Sequence, residues 1–284
     1  MFLKKKYISR STKNPNIFEN RKKILNSNNP NLIYLLNKRF NWMIEYIKNK
    51  KVIIELGSGN GCLKRILNQK NILLTDIVKY PWIDKKLDML KINLDKKYIN
   101  KVDVFIINHS LHHCANPANC LHRISKYLKK GGVMLINEPE TSFMLKLFQI
   151  ILDDESWSLT DNVFLKNKNL FNPKNPWISN TAVAQLLFKN KQKFERNFPQ
   201  YLIEKNNVSE FFIFLNSGGV NSDFFNIKLN NFFLNIVDII DKILIFLFPG
   251  VFAVLTRTTV QISTGKPFGG RRPFVCVNFF RRLN

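Results

Sequence analysis

The chain has 284 residues, 45% of them hydrophobic, which suits one globular domain with a large insertion or cap and excludes a small disulfide-built scaffold. Cys62, Cys114, Cys120 and Cys276 are few and unevenly placed, and the opening Met1-Phe2-Leu3 before Lys4-Lys5-Lys6 lacks the order of a secretory signal, so free thiols in a reducing cytoplasm are expected. The net charge of +24 suits polyanions or acidic membrane surfaces, yet lysines are scattered through every segment of a chain dominated by Lys, Asn, Ile and Phe, and no local patch marks a nucleic-acid site.

Residues 1–30 are polar and basic without apolar periodicity, and a loosely ordered arm is expected there. From Pro30, Leu32, Leu35, Leu36, Phe40, Met43, Ile44 and Ile47 recur at helical spacing. Residues 52–56 form a short apolar run closed by Gly57-Ser58-Gly59-Asn60-Gly61, and Leu63, Ile66 and Leu67 then resume a helical stripe. A second strand is expected at 72–75, ending at Asp76, and a third at 102–107, ending at Asn108. Residues 117–130 read as an amphipathic helix with Leu121, Ile124 and Leu128 inward, stopped by Gly131-Gly132. A further strand at 133–136 runs into Asn137-Glu138-Pro139. Apolar runs alternating with helices predict a parallel sheet covered on both faces over residues 31–140.

Beyond residue 140 the pattern loosens into a mainly helical cap or substrate region, 141–230. Helices are expected at about 141–152 and 181–190, separated by an Asn/Lys/Pro-rich stretch. Tyr201-Leu202-Ile203 and residues 211–215 fit strand or helix equally. Residues 231–258 are expected to hold a C-terminal helix and the last strand. The apolar run there is interrupted by Asn235, Asp238, Asp241 and Lys242 and split by Pro249-Gly250. Its unbroken part, 243–255, falls short of the ~20 residues that cross a bilayer. A buried helix, a turn and a strand over 251–256 are expected, with peripheral membrane contact as the alternative. Residues 259–284 form a basic tail to which no function is assigned.

Glu55-Leu56-Gly57-Ser58-Gly59-Asn60-Gly61 carries the strongest chemical signal. Glycines at 57, 59 and 61 lack the Cβ that would block a ligand lying against the turn, and the following helix directs free amides toward it. A dinucleotide fingerprint would space the third glycine one residue later, where Cys62 stands, and no Gly-Lys-Ser/Thr follows for a phosphate loop. Asp76, about twenty residues on at the end of the second strand, is placed to accept ribose hydroxyls.

Residues 50–140 resemble the core of the class I, Rossmann-like S-adenosylmethionine-dependent methyltransferases, especially the type 11 group. Residues 55–61, residues 103–107 with Leu111-His112-His113, and residues 128–136 carry the likeness; Lys130 stands where the family commonly has proline. The resemblance implies an α/β fold of sheet order 3-2-1-4-5-7-6, the last strand antiparallel and helices on both faces. It implies S-adenosylmethionine as cofactor, with Glu55, Gly57, Ser58, Gly59 and Gly61 at its methionine part and Asp76 at the ribose. Asp88 and Met89 would flank the adenine, and Asn108 and His109 would lie beside the sulfonium.

Methyl transfer is an in-line displacement, so the protein must position the acceptor and, for a hydroxyl or amine, remove a proton. His109, His112, His113 and His122 fall in one short region, and His113 or His109 is the candidate base, with Glu155 and Asp161 as weaker ones. A metal site from His112, His113, Cys114, Cys120 and His122 is not expected, because the paired C-x-x-C spacing is absent. The leading expectation is a small-molecule, lipid or sugar acceptor. An RNA or tRNA methyltransferase is the second reading, although Asn108-His109-Ser110-Leu111 differs from the Asn/Asp-Pro-Pro-aromatic element of base-amino enzymes. A non-catalytic protein keeping the fold for scaffolding or membrane contact is the third. Oligomeric state is not legible.

Overall fold

The computed structural model describes residues 16–152, 155–218 and 226–263. Seven strands form one sheet: β1 (Ile53–Leu56), β2 (Ile72–Asp76), β3 (Lys85–Lys86), β4 (Val102–Asn108), β5 (Leu128–Pro139), β6 (Tyr201–Ser209) and β7 (Leu255–Ile262). Their order is β3-β2-β1-β4-β5-β7-β6, with β1 to β5 paired in parallel and β7 antiparallel to both β5 and β6. This is the expected Rossmann-like arrangement. Side chains alternate across the pleat, so Val104 and Ile106 of β4 join one hydrophobic cluster and Phe105 and Ile107 the other. Both faces are therefore dry, which is why the central strands read as unbroken apolar runs.

The helix Pro30–Phe40 covers the first face through Leu32, Leu35 and Leu36; Asn29 caps it and Pro30 takes the first turn, where a missing N–H costs nothing. Helices Pro117–Ile124, Val183–Phe188 and Lys191–Asn197 cover the second. Because strand order reverses between β1 and β4, a crevice opens at their carboxyl ends, the usual ligand position in such sheets.

Several expectations are corrected. The supposed N-terminal arm contains a helix, Ile17–Leu25, capped by Asn16. Arg21 ties it down by donating to the Asn60 carbonyl (2.5 Å) and stacking over Trp82. The helix predicted for 117–130 ends at Ile124, because Gly131-Gly132 is an irregularity inside β5 rather than a helix stop. A Cβ on Gly132 would lie 3.0 Å from the Val102 carbonyl, and Gly131 has φ +72°. Residues 201–209, assigned to the cap, form a strand of the core sheet. The final strand starts at Leu255 and runs to Ile262, through the first residues of the supposed tail; positions 264–284, with Cys276, lie outside the described residues.

The helix Asn231–Leu247 inverts the expected burial. Its inward stripe is Leu234, Asp238, Asp241 and Ile245, whereas Phe232, Ile239, Ile243 and Phe246 are 67%, 55%, 53% and 84% exposed. The acids are inside because they have partners there. Asp238 pairs with Lys38 and with Lys242 (2.8 Å), and Asp241 accepts the amides of Phe211, Phe212 and Ile213 at 3.0, 2.8 and 3.2 Å. Among the described residues no helix is long and apolar enough to cross a membrane.

Candidate active site

The crevice opens into a cavity of about 650 Å³ bordered by the ends of β1, β2, β4 and β5. At its floor the turn after β1 is built from main chain. Gly57, Gly59 and Gly61 have φ of +67°, +50° and +63°, values that favour glycine. Ser58 donates its amide to the Thr75 carbonyl (2.9 Å), locking the turn to β2. A Cβ on Gly57 would stand 2.5 Å from that of Ser110, whose hydroxyl donates to the Leu56 carbonyl. Nothing lies within 4 Å of the corresponding point on Gly59, so its bare face is open to a ligand.

Gly61 has another role. It does not border the cavity: a Cβ there would meet the Trp82 ring at 2.4 Å, and its glycine is explained by that packing and its φ. Trp82 in turn donates its indole N–H to the Gly59 carbonyl at 2.8 Å.

Glu55, Ser58, Asp76, Asp88, Met89, Asn108, His109 and His113 all border the cavity. Asp76 Oδ2 accepts from the Gly59 amide (2.8 Å) and Oδ1 from Val78 (2.9 Å). Each oxygen retains a lone pair, so the carboxylate both shapes the loop and can accept hydroxyl donors. Burial raises its pKa, with the Val78 and Gly59 amides opposing. Asp88 caps the turn Met89–Lys91 through the Leu90 amide. Glu55 Oε2 and Asn108 Oδ1 are buried without a hydrogen-bond partner. Burial pushes the Glu55 carboxyl up to about 8, the Ser58 hydrogen bond pulling it down and the Asp76 charge adding to the rise. Unsatisfied buried acceptors are costly and await a donor.

Residues 29–190 match the sequence profile of the methyltransferase domain family, more than half of the chain. The chain belongs to that family. This methyltransferase also resembles two solved S-adenosylmethionine-dependent methyltransferases. The one from Archaeoglobus fulgidus is 14% identical (87% of this chain, 100% of that one, TM-score 0.46). The one from Thermotoga maritima is also 14% identical (86% and 95%, TM-score 0.45). No curated protein matches the sequence.

The cofactor is S-adenosylmethionine, and the residues fit it. The two orphaned acceptors suit the polar methionine end, Asp76 a ribose diol, and Met89 and Leu90 an apolar ring.

His109, His112 and His113 also border the cavity. His109 has φ +50° and a buried ring whose Nε2 has no partner; burial first and Arg39 second hold its pKa well below the usual value, so it is neutral at pH 7. His113 Nδ1 faces the Ile178 carbonyl at 3.2 Å and its Nε2 lies 3.6 Å from Glu155. His112 was not singled out as a site residue from sequence, nor was Glu138. His112 Nδ1 pairs with Glu138 Oε2, and Nε2 is 3.4 Å from Glu155 Oε1. Burial lowers the His112 pKa, but Glu138 and Glu155 outweigh it and lift it to about 10. Glu138 is itself fixed by the amides of Ser110 and Leu111 (2.8 and 2.7 Å). A signal existed: Glu138 ends β5 much as Asp76 ends β2.

Of the other candidates, His122 and Asp161 lie away from the cavity. His122 is exposed on its helix. Asp161 accepts from Ser158 and Asn180 and holds a loop together. Cys62, Cys114 and Cys120 are buried free thiols. Most of the remaining cavity wall is apolar and was illegible from sequence: Leu145, Phe148, Ile151, Trp177, Leu215 and Val254 come from four separated segments.

Proposed function

We propose that this methyltransferase transfers a methyl group to an amphiphilic, lipid-like small molecule that it meets at an anionic membrane surface, from the cytoplasmic side. The observation that carries the reading is the outward apolar face of the helix Asn231–Leu247 and its continuity with the cavity wall. Phe246, Leu247 and Phe248 at its end are exposed and lead into the helix Pro249–Phe252. Phe252 packs with Leu145, Phe148, Phe211, Leu215 and Val254 in a small cluster, and most of these also border the cavity. Ile151 and Leu152 stand at both the cavity and the surface. A helix with this much exposed apolar area, on a chain of charge +24, suits an in-plane position among anionic headgroups.

S-adenosylmethionine supplies a methyl carbon on a positively charged sulfur. The glycine turn and Asp76 orient it, the apolar wall excludes water from the acceptor, and His109 or His113 borders the path along which the acceptor proton leaves. RNA is the weaker reading, since phosphate-driven binding draws on cationic surfaces and this cavity is mostly apolar.

Two measurements test this. Protein with labelled methyl donor and a cell extract should place label in the organic-soluble fraction. The protein should also sediment with phosphatidylglycerol vesicles but not phosphatidylcholine ones, and a Phe246→Glu/Ile239→Glu double variant should lose sedimentation while still binding S-adenosylhomocysteine. Label confined to RNA or water-soluble products, or an apolar face covered by a second copy in a stable dimer, overturns the proposal.

A further inference from the structure

We infer that His112, His113 and Glu155 form a binding site for one zinc-class divalent cation at the acceptor end of the cavity. His112 Nε2 and His113 Nε2 lie 3.4 and 3.6 Å from the same oxygen, Glu155 Oε1, and one donor atom from each residue falls within 4.8 Å of the others. An ion bound tetrahedrally at about 2.1 Å from each donor would separate them by about 3.4 Å. Both nitrogen-to-oxygen distances already match that separation, and the set as a whole spans no more than 4.8 Å.

The outer partners point the same way. A metal-bound imidazole characteristically donates its other N–H to a carboxylate or a carbonyl, which fixes the tautomer and aims the lone pair at the ion. Here His112 turns Nδ1 to Glu138, which two main-chain amides hold in place, and His113 turns Nδ1 to the Ile178 carbonyl. Both Nε2 atoms are thereby directed at one point beside Glu155. The cation would take the place of the proton that Glu138 and Glu155 otherwise hold on His112, so the two carboxylates are offset in either state. His112 and Glu138 are both buried, so the site is built into the core rather than assembled on a surface.

Three protein ligands leave a fourth position, and all three residues border the cavity, so that position faces the acceptor. An acceptor hydroxyl bound there would lose its proton to solvent near neutral pH, leaving the oxygen nucleophile that attacks the methyl carbon as the carbon–sulfur bond breaks. His113 is then a ligand, and His109 the remaining histidine beside the acceptor. The cysteine-based arrangement considered from sequence plays no part: Glu155, forty-two residues beyond His113, supplies the third ligand.

The test uses purified full-length protein stripped with a chelator and titrated with Co²⁺. One equivalent should produce the visible absorption of tetrahedral Co²⁺, and Zn²⁺ should displace it. Glu155→Gln and His113→Ala should abolish the band, and Glu138→Gln should weaken Zn²⁺ binding about 10- to 100-fold. Calorimetry with S-adenosylhomocysteine on every variant shows that the fold persists. Absence of the band in a stripped wild-type protein that still binds S-adenosylhomocysteine overturns the inference, as does full binding by Glu155→Gln. Loss of S-adenosylhomocysteine binding by the wild type would count against the methyltransferase reading instead.

Discussion

Glu55 shows how one buried atom links folding to ligand binding. Its carboxyl lies among apolar strands with Oε2 unpartnered, and burial lifts its pKa from the ordinary 4.5 to about 8. The unliganded protein therefore holds a proton there at pH 7. The sign follows from linkage: folding is penalised progressively as pH rises from about 4.5 to about 8, and not below that window. A cofactor ammonium placed against Glu55 favours the ionised form, so binding expels the proton. S-adenosylhomocysteine should then bind close to tenfold tighter at pH 7 than at pH 6, with nearly one proton released per site, read from calorimetry in buffers of different ionisation enthalpy. Glu55→Gln should flatten that dependence. An affinity independent of pH in the wild type would refute the assignment. The same residue was readable in the sequence as the last acid before a glycine turn, but its unpaired oxygen was not, since pairing depends on what β2 and β4 bring alongside.

The helix Asn231–Leu247 carries the argument at the level of elements. In the sequence its acids look like interruptions of an apolar run. In the fold they are its anchors: Leu234, Asp238, Asp241 and Ile245 recur at helical spacing and face inward. Asp241 satisfies three consecutive amides at the start of the short helix Phe212–Leu215, and burial raises its pKa against their pull. Asp241→Ala strands those amides and should cost about 3 kcal/mol, measured by urea unfolding. Protease cleavage within 226–250 should also accelerate, since the helix loses its attachment. A change below about 0.5 kcal/mol would show that water satisfies the amides instead. The apolar run located this helix and led to the expectation that it is buried, but hydrophobicity decides orientation only where the polar stripe has no partner inside.

Across the whole molecule, Glu210 joins parts of the chain that sequence reading kept apart. It is fully buried at φ +70° and accepts from Arg39 Nε (2.8 Å) and Arg257 Nη2 (2.9 Å), tying the helix Pro30–Phe40 to β7. Removing one member of such a network leaves buried charge unpaired. Glu210→Ala should destabilise by about 3–5 kcal/mol and lower the Tm by roughly 10 °C, whereas a loss under about 1 kcal/mol would mean that the two arginines reach solvent. The sequence alone determined the central sheet, the glycine turn and the acids that flank it, because strand periodicity and turn chemistry are local and leave local traces. The order of the strands came through likeness to a family. Only tertiary structure decided the cavity wall, the pairing of His112 with Glu138, the approach of Glu155 and the outward apolar face of the helix Asn231–Leu247. Each of these depends on side chains tens to hundreds of residues apart, and no window along the chain records which buried partner a charged group will meet.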